Sequence, residues 1–162
     1  MRRALICLSF VLLSACGFKL RGEFALPAAM DSTLVIVADS LSPLQRNLTR
    51  AIVQSGRRVV SNRDDAAAVL EISRNQMIQN VLSVGDQARV REFELRYEVD
   101  FRLLDARSGA ELMAKQSLSI AREYRFDEQQ YIGISGEEEV IRQDLEREMV
   151  RALLERIVRV QG

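Results

Sequence analysis

The cleanest pattern in the chain runs over residues 92–103. Phe93, Leu95, Tyr97, Val99, Phe101 and Leu103 alternate there with Glu92, Glu94, Arg96, Glu98, Asp100 and Arg102. Strict period two over that length predicts a long strand in a sheet with one dry face and one wet face. Upstream, residues 68–84 alternate less cleanly, through Leu70 and Ile72 and later Ile78 and Leu82. A bulge near Arg74 to Gln76 would account for the slip in phase. Gly85-Asp86 is a turn signal between the two. A second turn over 105–109 leads into residues 111–124, where Leu112, Ala114, Leu118 and Ile120 are in phase. The middle of the chain therefore predicts a β-meander.

Helical periodicity flanks it. Residues 33–38 are a continuous apolar run, typical of a strand buried on both faces. Ser42, Pro43 and Gln45 then form a capping box with proline at the first helical position. Leu44, Leu48, Ala51 and Ile52 line one face, and Gly56 ends the helix. Residues 57–61 give a short second strand, and strand, helix, strand at this spacing predicts a right-handed crossover between parallel strands. A final helix is expected from a second capping box, Ser135 to Glu138, whose acidic first turn suits the helix dipole. Its apolar stripe is Ile141, Leu145, Met149, Ala152, Leu153, Ile157 and Val160. Two apolar helix faces and one apolar sheet face predict an α+β two-layer sandwich. Its mixed or antiparallel sheet has about four to five strands, with two helices packed on one face and a polar opposite face.

The first residues follow neither period. Arg2 and Arg3 precede a ten-residue apolar run, Ala4 to Leu13. That run is too short to span a bilayer as a helix and suits a secretory signal. Leu13-Ser14-Ala15-Cys16 follows and resembles the lipobox of bacterial lipoproteins, in which the signal is cut before the cysteine. A plain signal peptide with a chance cysteine is the alternative. The lipobox reading divides the chain into a removed signal (1–15), a lipidated N-terminus and tether (16–32), and one domain (33–162). Cys16 would then carry S-diacylglycerol and an N-acyl chain, and no other cofactor is expected. Cys7 falls in the removed segment, so no intramolecular disulfide is available. Each buried acyl methylene contributes roughly 0.8 kcal/mol, so two or three chains anchor the protein without spanning the membrane. Gly17 stands where enterobacterial lipoproteins kept in the inner membrane carry Asp, so the resemblance implies the outer membrane.

Composition removes several function classes. The 162 residues carry 23 basic and 23 acidic side chains, which gives no basic excess for a nucleic-acid backbone. Histidine is absent, so imidazole-based nucleophile activation and His-ligated zinc are excluded. The carboxylates of the long strand sit at every second position beside Arg96 and Arg102, as on a solvated sheet face. Glu137 to Glu139 suits a helix start better than a metal site. Asp64 and Asp65 lack neighbouring oxygen donors for calcium. The sequence predicts no metal site, no catalytic residue and no enzyme.

Four arginines are the remaining candidates. Arg89 and Arg91 continue the phase of Phe93 and Leu95 towards the 85–86 turn, and Arg122 and Arg125 end the neighbouring strand. Antiparallel pairing would gather all four at one edge of the sheet, where guanidinium groups can fork onto phosphate oxygens. The alternative is a set of solvated strand ends balancing Glu92 and Glu123.

The lipobox, the opening Cys16-Gly17-Phe18-Lys19-Leu20-Arg21-Gly22 and the strand–helix–meander–helix order together resemble the LptE family of lipopolysaccharide-assembly lipoproteins. Arg91-Glu92-Phe93-Glu94-Leu95 and the helical Leu153-Leu154-Glu155-Arg156-Ile157 are similar to further family segments. The resemblance implies a non-enzymatic plug in the lumen of the outer-membrane β-barrel LptD, in a 1:1 complex on the periplasmic side. It also implies help with barrel assembly and with passing lipopolysaccharide to the outer leaflet. Arg89 and Arg91 match the region of a family loop that contacts lipopolysaccharide. Residues 126–136 hold no Lys or Arg, and Ser135 stands about where a basic residue would be expected. Two rival readings from the residues are a stand-alone module binding lipopolysaccharide or another anionic envelope glycolipid, and a carboxylate-based envelope hydrolase.

Overall fold

The computed structural model describes residues 24–39, 42–85, 89–125 and 134–161. The main elements follow in the order β1 (Ser32–Val37), α1 (Pro43–Gln54), β2 (Arg58–Val60), β3 (Ala68–Gly85), β4 (Arg89–Asp105), β5 (Glu111–Arg125) and α2 (Ile134–Gln161). Five strands form one mixed sheet in the order β2-β1-β3-β4-β5. β1 runs parallel to both β2 and β3, and the β3–β4 and β4–β5 pairs are antiparallel. The expected α+β sandwich and the crossover between parallel β1 and β2 are therefore present.

The alternation of β4 holds through the core. Leu95, Tyr97, Val99, Phe101 and Leu103 are buried, while the intervening charged side chains are partly exposed. Against that face lie Leu44, Leu48 and Ile52 of α1 and Leu145, Met149, Leu153 and Ile157 of α2, all in one cluster with β1 and β3. Each fully buried apolar side chain of this kind contributes roughly 1.5–3 kcal/mol, so the shared cluster fixes both helices to one face. Val160, expected in the stripe of α2, is half exposed.

The neighbouring strands depart from simple alternation. β3 slips register between Ile72 and Arg74, so the bulge falls at Ser73, just before the expected position. Beyond it, Asn75, Met77, Gln79 and Val81 lie opposite the inward residues of β4, and Ile78 lies opposite Arg96 on the open face. In β5 the register slips between Phe101 and Leu103, with Gln116 and Met113 as their partners. Met113 is consequently buried and Ala114, expected inside, is exposed.

Packing begins ahead of β1. Residues 24–31, which the sequence assigns to the tether, lie against the domain. Leu26 and Met30 are buried, and the Arg57 guanidinium donates to the Leu26 carbonyl at 2.6 Å and meets Asp31 at 3.3 Å. Ser42 caps α1 as expected, accepting from the Leu44 amide at 3.2 Å. α2 starts at Ile134, so Ser135 is already inside the helix. Among the described residues no helix is long and apolar enough to cross a membrane.

Candidate interaction surface

The face of the sheet not covered by helices is a charge ladder, because every second residue of β4 from Glu92 to Arg102 is ionic and each of these side chains meets an opposite charge on a neighbouring strand or on β4 itself. Arg102 reaches Glu71 on β3 at 2.8 Å and Glu111 on β5 at 3.6 Å. Lys115 meets Asp100 at 2.9 Å, and Arg74 meets Glu98 at 2.5 Å. Arg96 meets Glu94 at 2.7 Å, with Asn80 donating to the same carboxylate at 3.0 Å. Hydrogen bonds from Ser117 and Lys115, the first the larger cause, hold the Asp100 carboxyl below its ordinary value. Exposed pairs of this type contribute about 0–1 kcal/mol each, so their effect on stability is small. Their effect on the surface is larger: opposite charges alternate across the sheet, and the face projects no strong field of either sign.

The four candidate arginines do not converge on one face. Arg122 lies opposite inward-facing Leu95 and meets Glu148 of α2 at 2.9 Å. Arg125 lies opposite Glu92 on the open face and meets its carboxylate at 3.3 Å. Three residues apart on a strand means opposite faces. Arg89 and Arg91 begin β4 at the same end of the sheet as Arg125, but a register shift sets in there. Val84 pairs with Val90 and Ser83 with Glu92, leaving no partner for Arg91 in the ladder. The alternation extrapolated back from Phe93 and Leu95 is therefore interrupted. Cys16 lies outside the described residues, as do residues 126–133.

On the helix-covered face, polar side chains that the pattern cannot anticipate tie both helices to the sheet. Asn75 donates to the Ser42 hydroxyl at 2.6 Å and accepts from the Tyr97 hydroxyl at 2.7 Å. Tyr124 accepts from Gln79 and donates to Glu138 at 3.2 Å, and Glu138 pairs with Arg142 at 2.8 Å. The Tyr124 ring stacks on Phe93 with centroids 5.5 Å apart. Burial raises the Tyr97 hydroxyl well above its ordinary value, helped by Glu146. Burial also leads the upward shift of Glu146, with repulsion from Glu139 second. Asn75, Tyr97, Gln79, Tyr124 and Glu138 are thus each held by a hydrogen-bonded neighbour.

At the opposite end of the sheet a cavity of about 320 Å³ is lined by Ser32, Asp64, Asp65, Ala66, Ala67, Asp105 and Arg107. Its Asp105 carboxylate accepts from the backbone N–H and then the hydroxyl of Ser108, and less strongly from the Arg107 N–H, which keeps it below its usual range. Asp105 is thus the cap of a turn. No group of three or more Cys, Asp or Glu among the described residues is placed to hold a metal ion.

A family model described as LptE, lipopolysaccharide-assembly, matches residues 24–157. The chain is similar to the LPS-assembly lipoprotein LptE of Pectobacterium atrosepticum, at 18% identity over 96% of this chain and 83% of that one. Among solved structures it is similar to uncharacterized lipoprotein B of Nitrosomonas europaea, at 31% identity over 85% of this chain and 88% of that one, with a TM-score of 0.72. The rare lipoprotein B of Shewanella oneidensis shares the fold at a TM-score of 0.68, with 20% identity over 80% of this chain and 96% of that one.

Proposed function

The chain belongs to the LptE lipopolysaccharide-assembly family, and on that footing we propose that it is a non-enzymatic plug and assembly factor for the outer-membrane barrel LptD. The observation that carries this reading is the open sheet face. A barrel lumen is polar and water-filled, and a body that fits inside it must present hydrated, charge-balanced surface. The ladder from Glu71 to Arg125 supplies such a surface on a single rigid sheet. Acylation at Cys16 would hold the domain at the periplasmic side of the outer membrane, where a shared membrane makes docking effectively intramolecular.

The test is co-purification. The full lipidated chain should bring down an outer-membrane barrel in about equal amount, and its depletion should lower the mature form of that barrel. Unchanged barrel levels in depleted cells would refute the proposal.

A second reading, a stand-alone binder of lipopolysaccharide or another anionic glycolipid, rests on Arg89, Arg91 and Arg125 sharing one end of the sheet. The engagement of Arg125 with Glu92 and of Arg122 with Glu148 weakens it, because both charges are already neutralised. Reversing Arg89 and Arg91 to Asp separates the two readings. It should remove glycolipid binding under the second and leave barrel association intact under the first.

A further inference from the structure

β1 is much shorter than β3, and the difference leaves a step in the sheet. β1 pairs only with the start of β3, Ala68 to Ile72, and the Ala38 amide on the Ile72 carbonyl, at 3.3 Å, closes that ladder. Beyond this rung β3 continues to Gly85. Among the described residues it is paired there on one side alone, with β4. From Arg74 to Val81 that pairing runs residue for residue between two irregularities. Such a stretch spans roughly 26 Å, longer than a common strand of about 5–6 residues. Its free side presents a regular row of backbone donors and acceptors, the template on which another strand can add.

The usual guards of an open edge are missing here. Asn75-Gln76-Met77-Ile78-Gln79-Asn80-Val81 contains no charge, no Pro and no Gly. The other edges are better protected: β2 is three residues long, and β5 carries Lys115, Arg122, Glu123 and Arg125. The helix layer leaves the step open as well. Ser42, which caps α1, is bonded to Asn75, and α1 runs from there back towards the start of β1, where Arg58 of β2 lies opposite Ser32. It leads away from Met77, Gln79 and Val81. Val81 is accordingly 53% exposed although it lies opposite Phe93, and the adjacent Leu82 is 47% exposed.

We propose that the free side of β3 from Arg74 to Val81 takes up an extended segment of the barrel partner as an added strand, collinear with β1. The inference rests on the plug reading and names a contact within it. Backbone hydrogen bonds carry such a contact, and side chains alternate to the two faces. On the helix side the incoming strand meets Met77 and Val81, which calls for apolar residues. On the open face it meets Gln76, Ile78 and Asn80, which calls for uncharged ones. Other occupants fit less well. The chain's own lead-in joins the domain at the far end, where Arg57 holds the Leu26 carbonyl. From the level of Ala68 to that of Gln79 is about 36 Å along the strand, whereas residues 16–23 reach at most about 28 Å. A second copy does not fit a lumen that holds one body. The barrel wall reaches the step directly, because the edge borders the charged face through Arg74 and Asn80, and the plug reading already turns that face to the wall.

The test is backbone hydrogen exchange on the full lipidated chain, alone and in its purified complex with the barrel. Complex formation should slow exchange over residues 75–81 by about tenfold or more and leave residues 117–121, on the outer edge of β5, unchanged. Ile78→Pro and Gln79→Pro give a second readout. Successive amides of a strand point to opposite sides, so one of these substitutions breaks the ladder to β4 and lowers the melting temperature, while the other removes a donor from the free side only. The variant that melts like wild type should recover several-fold less barrel. An intact complex without slowed exchange over 75–81 would overturn the inference and leave the plug reading standing. Equal slowing along β5, slow exchange already in the chain alone, two copies in the complex, or wild-type barrel recovery by the well-folded Pro variant would overturn it too. Absence of any complex would remove both.

Discussion

Replacing Tyr97 by Phe removes one oxygen from a side chain that is 3% exposed. That hydroxyl donates to Asn75 at 2.7 Å, and Asn75 in turn donates at 2.6 Å to the Ser42 hydroxyl that caps α1. Loss of a typical hydrogen bond destabilises by about 0.5–1.5 kcal/mol, and a buried carbonyl left without a donor adds to that. The Asn75 carbonyl is only part-buried, so water limits the extra loss, and we expect about 1–2 kcal/mol in all. With a urea slope of about 2 kcal/mol/M, the midpoint should fall by roughly 0.5–1 M with the slope unchanged. Alkaline titration gives a second readout. The Tyr97 value is raised in the folded state above the 10.0 of an ordinary tyrosine. Its contribution is therefore full below about pH 10 and is lost as pH rises towards the folded value. Tyr97→Phe should flatten that alkaline loss while starting from a lower plateau at neutral pH. A double-mutant cycle with Asn75→Ala should show coupling. An unchanged urea midpoint, or a cycle with no coupling, would refute the bridge as a stabilising link between sheet and helix.

Three further outcomes follow from the same packing. Glu146→Gln should stabilise the protein at neutral pH, because a carboxyl whose value is raised by burial gives most stability below 4.5 and loses it as pH rises. Thermal melts of the two proteins should converge below that pH. Asp105→Ala should destabilise above pH 3.8, with the difference from wild type disappearing as acid protonates the native carboxylate, since its folded value is lowered. Leu153→Ala, at a site with no exposed surface, should cost about 2–5 kcal/mol in chemical denaturation and leave the open face's ion pairs unchanged.

How much the sequence discloses varies by strand, for physical reasons. β4 is legible because it is central and paired on both sides, and its alternation carries no interruption through the core. β3 is legible only up to Ile72, since one extra residue at Ser73 reverses which side chains face inward. Asn75 and Gln79 then occupy inward positions normally apolar. Asn75 is tolerated because Ser42 and Tyr97 satisfy it, partners more than 20 residues away that no local pattern can locate, while Gln79 is exposed and donates to Tyr124. The same limit explains Ala114 and Met113 in β5. The separation of Arg122 from Arg125 was available in principle from their odd spacing. Their ion partners, one on a helix and one on a neighbouring strand, needed the fold. The resemblance to the family was carried in the sequence mainly by the residues around Cys16 and by the order of elements, whereas the family match itself covers residues 24–157, after that opening.

The clamp formed by Leu26, Met30 and Arg57 has a mechanical consequence. Traction on the chain ahead of Phe24 reaches these contacts before it reaches β1. The guanidinium's grip on the Leu26 carbonyl and the two buried side chains would yield first, paying out a few residues of slack while the sheet keeps its register. The lead-in thus works as a strain relief, like the collar where a cable enters its housing.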